Sequence, residues 1–193
     1  MIPPERFIAN KDISQPDWEH ARRFGITATE VAKAATPAGF EQTVLRYSHP
    51  EPIEDNPYMK FGRDWEKPVA IILKEQFGVM PNDWLIAGED PRDLATPDGL
   101  SLDHTQIAEI KTTGTDWSTI PIGYRRQVQW QLHVTGAESC VFAWLLRVEE
   151  NGKGFVPGWF EPKTTIMERD EKMIDNLLDV ASRLWELKKT ETA

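Results

Sequence analysis

Three residues near the middle of the chain have types and spacing suited to chemistry on an acid ester. Asp98 lies in "TPDG", ten residues pass, and Glu109-Ile110-Lys111 follows in "AEIKTT". Side chains alternate along a strand, so Glu109 and Lys111 share one face while Ile110 points the other way into a core. A hairpin brings Asp98 from the preceding turn to the side of Glu109. Two carboxylates and an amine then meet at one spot. Carboxylate oxygens suit Mg²⁺ or Mn²⁺. Such an ion can hold a phosphate oxygen, acidify a bound water and stabilise a leaving oxygen. The amine can orient or help deprotonate that water and balance charge in the transition state. The ordinary alternative is an aspartate in a turn followed by a strand with solvated charges, and the spacing alone does not decide between them.

The elements that must hold these residues can be read from the pattern. "SQPDWEHARRFG" reads as a short helix starting near Ser14 or Gln15. Thr27 and Glu30 have capping-box spacing, so a second helix starts near Thr27. Residues 58–77 read as a longer helix in which Pro68 makes a kink or a new first turn. "DWLIAGED", "RDLATPDGLSLD" and "TQIAEIKTT" read as strands. "IGYRRQVQWQLHVTG" reads as a helix with Tyr124, Val128 and Leu132 on one face. "SCVFAWLLRV" is a buried strand, "EENGKG" a hairpin turn, "FVPGWFEP" an irregular strand, and "SHPEPIEDNP" a surface loop. From "TTIMERDEK" to the C-terminal lysines the pattern predicts one long amphipathic helix, with Ile166 starting its apolar stripe. This order predicts a mixed α/β fold with a central sheet, and 193 residues suit one domain.

Totals narrow the classes. No apolar run reaches the roughly 18 residues that span a bilayer. "MIPPERFIAN" lacks the regions of a secretory signal, so the expected location is the cytoplasm of a bacterial or phage-infected cell. The single cysteine, Cys140, permits neither an internal disulfide nor a cysteine-built metal cluster, and reads as a buried, inert thiol. The net charge of −9 argues against an all-over nucleic-acid coat. The basic residues nevertheless cluster at Arg22-Arg23, at Lys60, Arg63 and Lys67, and at Arg125-Arg126.

Four segments together carry a resemblance. "TPDG…AEIKTT" resembles the PD-(D/E)xK nuclease motif. "YMKFGRDWEKPVA", "YRRQVQWQLHVTG" and "RRFGITATEVAKA" resemble three further segments of the phage lambda exonuclease family, also called YqaJ-like viral recombinases. They stand in the family order between about residues 22 and 136. The resemblance implies a restriction-endonuclease-like core: a mixed sheet flanked by helices. It implies that Asp98, Glu109 and the Ile110 carbonyl hold a metal, that Glu66 completes the site beside a second Mg²⁺ or Mn²⁺ ion, and that Lys111 is the catalytic lysine. Gln127 then lies near the reacting phosphate, and Tyr124, one turn earlier, supports it or touches DNA. Arg22 or Arg23, with Thr29 in the place of a serine, then binds a terminal 5′-phosphate. A helix starting near Thr27 would add free N–H groups to that clamp.

The implied activity is hydrolysis of linear double-stranded DNA from a 5′ end, releasing 5′-mononucleotides and leaving 3′ single-stranded overhangs for recombination. The implied partners are DNA ends, a single-strand annealing protein and two further copies in a homotrimeric ring, with the basic clusters, Arg125 among them, facing the DNA. Two rivals use the same residues differently: a site- or structure-specific endonuclease or resolvase, and a non-catalytic DNA-binding recombination protein. Trp65 and Trp130, next to site residues, are candidates for stacking on bases. Asp103 and His104 read as hairpin residues outside the site, and Gln129 and Gln131 as helix residues away from it.

Overall fold

The computed structural model describes residues 1–49, 54–152 and 154–191. The middle of the "SHPEPIEDNP" loop and Lys153 of the predicted hairpin turn lie outside these residues. The described residues form six α-helices, α1 (Gln15–Ala21), α2 (Ala28–Ala34), α3 (Pro37–Ser48), α4 (Pro57–Phe77), α5 (Ile122–Thr135) and α6 (Glu171–Glu191). The strands are β1 (Phe7–Asn10), β2 (Ile26–Thr27), β3 (Val79–Pro81), β4 (Trp84–Ala87), β5 (Asp93–Ala95), β6 (Gly99–Ser101), β7 (Gln106–Thr113), β8 (Ser139–Glu150), β9 (Gly154–Pro157) and β10 (Lys163–Glu168). The larger sheet has the order β10-β8-β7-β6-β3, with β9 paired to β8. Its centre is the parallel pair β7–β8, and every other pairing in it is antiparallel. A second sheet runs β1-β4-β5-β2. This is the predicted mixed α/β architecture.

The alternation in β7 explains how the sheet is covered. Ala108 and Ile110 face the cluster formed with Phe61, Val69 and Leu73 of α4. Ile107 faces the other cluster, built with Val128 and Leu132 of α5 and Leu177 and Leu184 of α6. Both faces of β7 and β8 are therefore buried, as a parallel pair requires. Cys140 is fully buried in the second cluster, in keeping with an inert thiol.

The helix starts follow their caps. Ser14 accepts from the Asp17 N–H, and Thr27 and Glu30 form a reciprocal capping box. Helix α4 is continuous through Pro68 and does not restart there. Proline removes the N–H that would reach the Asp64 carbonyl, but both positions are exposed, so water can take its place. The C-terminal prediction needs correction. Residues 163–168 are the edge strand β10, in register with residues 139–144 of β8, and the helix begins only at Glu171. Ile166 is therefore a strand residue. Asp170 caps α6 by accepting from the Met173 N–H, and "KTTIM" carries the β-branched residues that favour a strand. Helix α3 and strands β1, β2 and β3 were not anticipated from the sequence.

Gly99 shows how tightly the site strand is seated. A Cβ there would lie 2.8 Å from Val79 Cγ1 and 3.0 Å from Ala108 Cβ. Gly99→Ala is therefore expected to cost about 1–3 kcal/mol, the usual range for overpacking, measured by chemical denaturation. A cost indistinguishable from zero would show that β6 is free to move.

Candidate active site

Strands β6 and β7 pair with Gly99 opposite Ala108. This places Asp98 at the open end of the pair. Its backbone N–H donates to the Ala108 carbonyl at 2.9 Å, and its Oδ2 accepts from the Ile110 N–H at 2.6 Å. The predicted hairpin thus brings Asp98 onto the Glu109–Lys111 segment through its own backbone.

Glu109 is only 1% exposed. Three donors hold its carboxylate. Lys111 Nζ and Gln127 Nε2 (2.6 Å) both donate to Oε1, and Gln131 Nε2 donates to Oε2 at 2.7 Å. The Lys111 ammonium also lies 5.5 Å from the centre of the Tyr124 ring, a cation–π contact. Tyr124 packs in turn on Trp117 and Phe142. One face of α5 therefore supplies Tyr124, Gln127 and Gln131 to the site at one-turn spacing. Gln129 points away and bonds the Glu168 carbonyl and the Asp170 N–H. Gln131, expected to lie away from the site, belongs to it, and the signal was its i+4 spacing from Gln127.

The local charges are strongly coupled. Burial, then the nearby Glu109 and Glu66 carboxylates, push the Asp98 carboxyl well above its usual range, against the pull of Lys111 and the Ile110 N–H. For Lys111, burial acts to lower the pKa, but Glu109 and Asp98 outweigh it and the net direction is upward. Lys111 is thus held as an ammonium.

Asp98, Gln127, Gln131 and Glu66 line one cavity of about 170 Å³ together with Arg22, Thr29 and Thr96. Arg22 rests on the Trp18 ring at 4.3 Å. Burial pulls its pKa down, opposed by Glu30 and Glu19. Of the two arginines left open by the sequence, the fold brings Arg22 to this cavity; Arg23 is exposed and lines neither it nor the larger cavity beyond Lys111. Arg125 is likewise exposed and lines neither. The expected free helix end is also modified. The capping box uses the Thr27 and Glu30 N–H groups, and α2 is only about two turns long. Arg22, Thr29 and Thr96 are the cavity's candidates for holding an anion. Thr96 was not anticipated: its Oγ1 is buried with no hydrogen-bond partner among the described residues, as is Gln131 Oε1.

Other candidates are placed elsewhere. Trp130 is fully buried, with its indole N–H bonded to the Leu94 carbonyl at 3.1 Å, and cannot reach a base. Trp65 packs on Phe61 within the α4 cluster. His104 adopts φ 63° and accepts from the Ile2 N–H at 2.8 Å, so it ties down the start of the chain.

The donor set fits a hard divalent cation. It offers carboxylate oxygens from Asp98 and Glu109, and the Glu109 and Glu66 carboxylates raise the Asp98 carboxyl while Lys111 opposes them. Among the described residues no three acidic, His or Cys groups gather into a ready-made cage. Mg²⁺ does not need one, since it usually takes one or two carboxylates and keeps waters or substrate phosphates for the rest. Glu66 borders the site without closing on it.

Residues 17–138 match the YqaJ-like viral recombinase domain. The chain belongs to this family. Its fold is similar to an alkaline exonuclease, LHK-Exo, from Laribacter hongkongensis (TM-score 0.69, 23% identity, covering 92% of this chain and 94% of that one). The same enzyme in complex with dAMP aligns with a TM-score of 0.67 at the same identity and coverage. A phage-related exonuclease from Haemophilus somnus 129PT aligns with a TM-score of 0.67 at 14% identity, over 86% of this chain and 94% of that one. The restriction-endonuclease-like core expected from the YqaJ segments is therefore present. No curated protein matches the sequence.

If Asp98 and Glu109 repel each other in the absence of a cation, removing one charge relieves the strain. Asp98→Asn keeps the acceptor for the Ile110 N–H. It is expected to raise the melting temperature in EDTA and to remove any upward shift that Mg²⁺ gives the wild type. An unchanged or lower melting temperature in EDTA would contradict the coupling.

Proposed function

We propose that this protein is a divalent-metal-dependent DNA exonuclease. The observation that carries the reading is one cavity lined by Asp98, Glu66, Arg22, Thr29 and Thr96, in which Asp98 is bonded to the β7 backbone between Glu109 and Lys111. Asp98, Glu109 and the Ile110 carbonyl would hold Mg²⁺ or Mn²⁺, with Glu66 on the side of a second ion. When bound, the metal would acidify the attacking water and neutralise charge on the scissile phosphate. Gln127 and Gln131 fix the Glu109 carboxylate; in the loaded site Gln127 is also placed to meet the reacting phosphate. Lys111, bonded to Glu109, would orient or help deprotonate the attacking water and balance charge in the transition state.

Arg22 with Thr29 forms the clamp for a terminal 5′-phosphate, a charge-assisted contact suited to a guanidinium. A bound end beside the metal site sets a cut one nucleotide in, so the products are 5′-mononucleotides, the strand is consumed 5′ to 3′, and a 3′ overhang remains for recombination. One structural relative was solved with dAMP, a nucleotide of the product class proposed here. A homotrimeric ring around the DNA and a single-strand annealing partner complete the reading. The ring offers a reason for a chain of net charge −9 to act on DNA: an acidic exterior with cations turned inward. No helix among the described residues is long and apolar enough to cross a membrane.

The test is digestion of linear duplex DNA with 5′-phosphate or 5′-hydroxyl ends, in Mg²⁺ or EDTA. Mononucleotides are expected from phosphorylated ends in Mg²⁺ only. Lys111→Ala is expected to lose at least 100-fold in rate, the scale of one charge-stabilising group. Arg22→Ala is expected to lose the preference for 5′-phosphate, and Arg23→Ala to keep it. Closed circles cut as fast as linear DNA would replace the exonuclease with an endonuclease.

A further inference from the structure

A second, larger cavity of about 570 Å³ opens on the far side of the catalytic residues. Glu66 lines both cavities; Lys111, Ile110, Arg63, Tyr58 and Arg147 line the second. The candidate metal site is therefore a partition between two chambers. The first, with Arg22, is small. The second is more than three times its volume and holds three cations, which differ in their commitments. Lys111 is bonded to Glu109. Arg63 is held by Asp55 through two hydrogen bonds of 2.9 and 2.6 Å. The Arg147 guanidinium has no hydrogen bond and no ion pair among the described residues.

Arg147 is nevertheless fixed in place. It projects from β8 and is half-buried. Its guanidinium carbon lies 4.5 Å from the Tyr58 ring centre and 5.2 Å from that of Phe155, and the two rings pack on each other at 5.0 Å. Contacts of this kind hold the group without supplying an oxygen acceptor. They leave its five N–H donors, which lie in the plane, without acceptors. A preorganised, unpaired fork beside the site of phosphate chemistry is suited to bidentate recognition of another phosphate.

We propose that Arg147 binds a backbone phosphate of the cleaved strand on the 3′ side of the scissile bond. This rests on the exonuclease reading, with the 5′ end in the Arg22 chamber. The strand then runs from Arg22, past Asp98 and Glu109, into the second chamber. Arg147 contacts the part of the strand that is kept, and Arg22 the nucleotide that leaves. Arg147 is thus a substrate-holding residue, and the Tyr58 and Phe155 rings orient it.

Equilibrium binding of 5′-phosphorylated and 5′-hydroxyl duplex oligonucleotides, followed by fluorescence anisotropy in EDTA across a salt series, tests this. The proteins are wild type, Arg147→Met, which keeps a stem against the rings, and Arg147→Gln, which serves if the Met variant melts early. Loss of one phosphate contact lowers the slope of log K against log salt by about 0.9 and weakens binding to both oligonucleotides equally. The ratio between phosphorylated and hydroxyl ends stays as in the wild type. A wild-type slope and affinity in both folded variants overturns the assignment of Arg147. Loss of the 5′-phosphate preference would also overturn it, because Arg147 would then belong to the terminal clamp. If the wild type binds duplex without any preference for a phosphorylated end, the exonuclease reading fails, and with it the strand path assigned here, whatever Arg147 does.

Discussion

The structure turns on the carboxylate of Glu109, which is removed from water at the centre of the molecule. A buried carboxylate without partners costs several kcal/mol. Here Lys111 donates from two residues along the same strand, and Gln127 and Gln131 donate from α5. To meet these donors, α5 must lie over β7 with one face turned toward Glu109. The same orientation sends Val128, Trp130 and Leu132 into the core. Site and core are therefore set by one helix rotation, and neither can be changed without the other.

Asp98 adds the second constraint. It is bound to the backbone of β7 at Ile110 and lies against Glu109, so the fold holds two carboxylates together at an electrostatic cost. Perturbed carboxylates of this kind are frequent at functional sites, though structural ion pairs produce them too. The difference here is that the repulsion faces a cavity holding an arginine and orphaned polar atoms, Thr96 Oγ1 and Gln131 Oε1. A polar cavity with unmet acceptors and donors is built for something that arrives with its own charges. A phosphate with a divalent cation supplies both signs.

Much of this was legible in the sequence because it depends on local periodicity. Period-two alternation put Glu109 and Lys111 on one face, the capping box placed α2, and the YqaJ-like segments named Glu66, Gln127 and either Arg22 or Arg23. What was hidden depends on contacts across the chain. Strand β10 looked helical because Ile166 and Met173 fit a helical stripe across a boundary that only pairing with β8 enforces. Gln131 shares a helix face with Gln127, but nothing local says that Glu109 has a second oxygen needing a donor. Thr96 gave only a threonine before Pro97 and Asp98, and Arg147 only a charge at the end of an apolar strand. The value of each comes in large part from residues distant in the chain, Glu109 for Gln131, Arg22 for Thr96 and Tyr58 for Arg147.

The central claim is that the buried acidic pair is completed by a divalent cation. It is tested most directly by Mn²⁺ binding, followed as loss of the free-ion electron paramagnetic resonance signal, with wild type and Glu109→Gln. The account predicts at least one Mn²⁺ per wild-type chain, displaced by Mg²⁺, and strongly weakened binding in the variant. Wild-type binding that survives Glu109→Gln unchanged, or no binding by either protein, would contradict it.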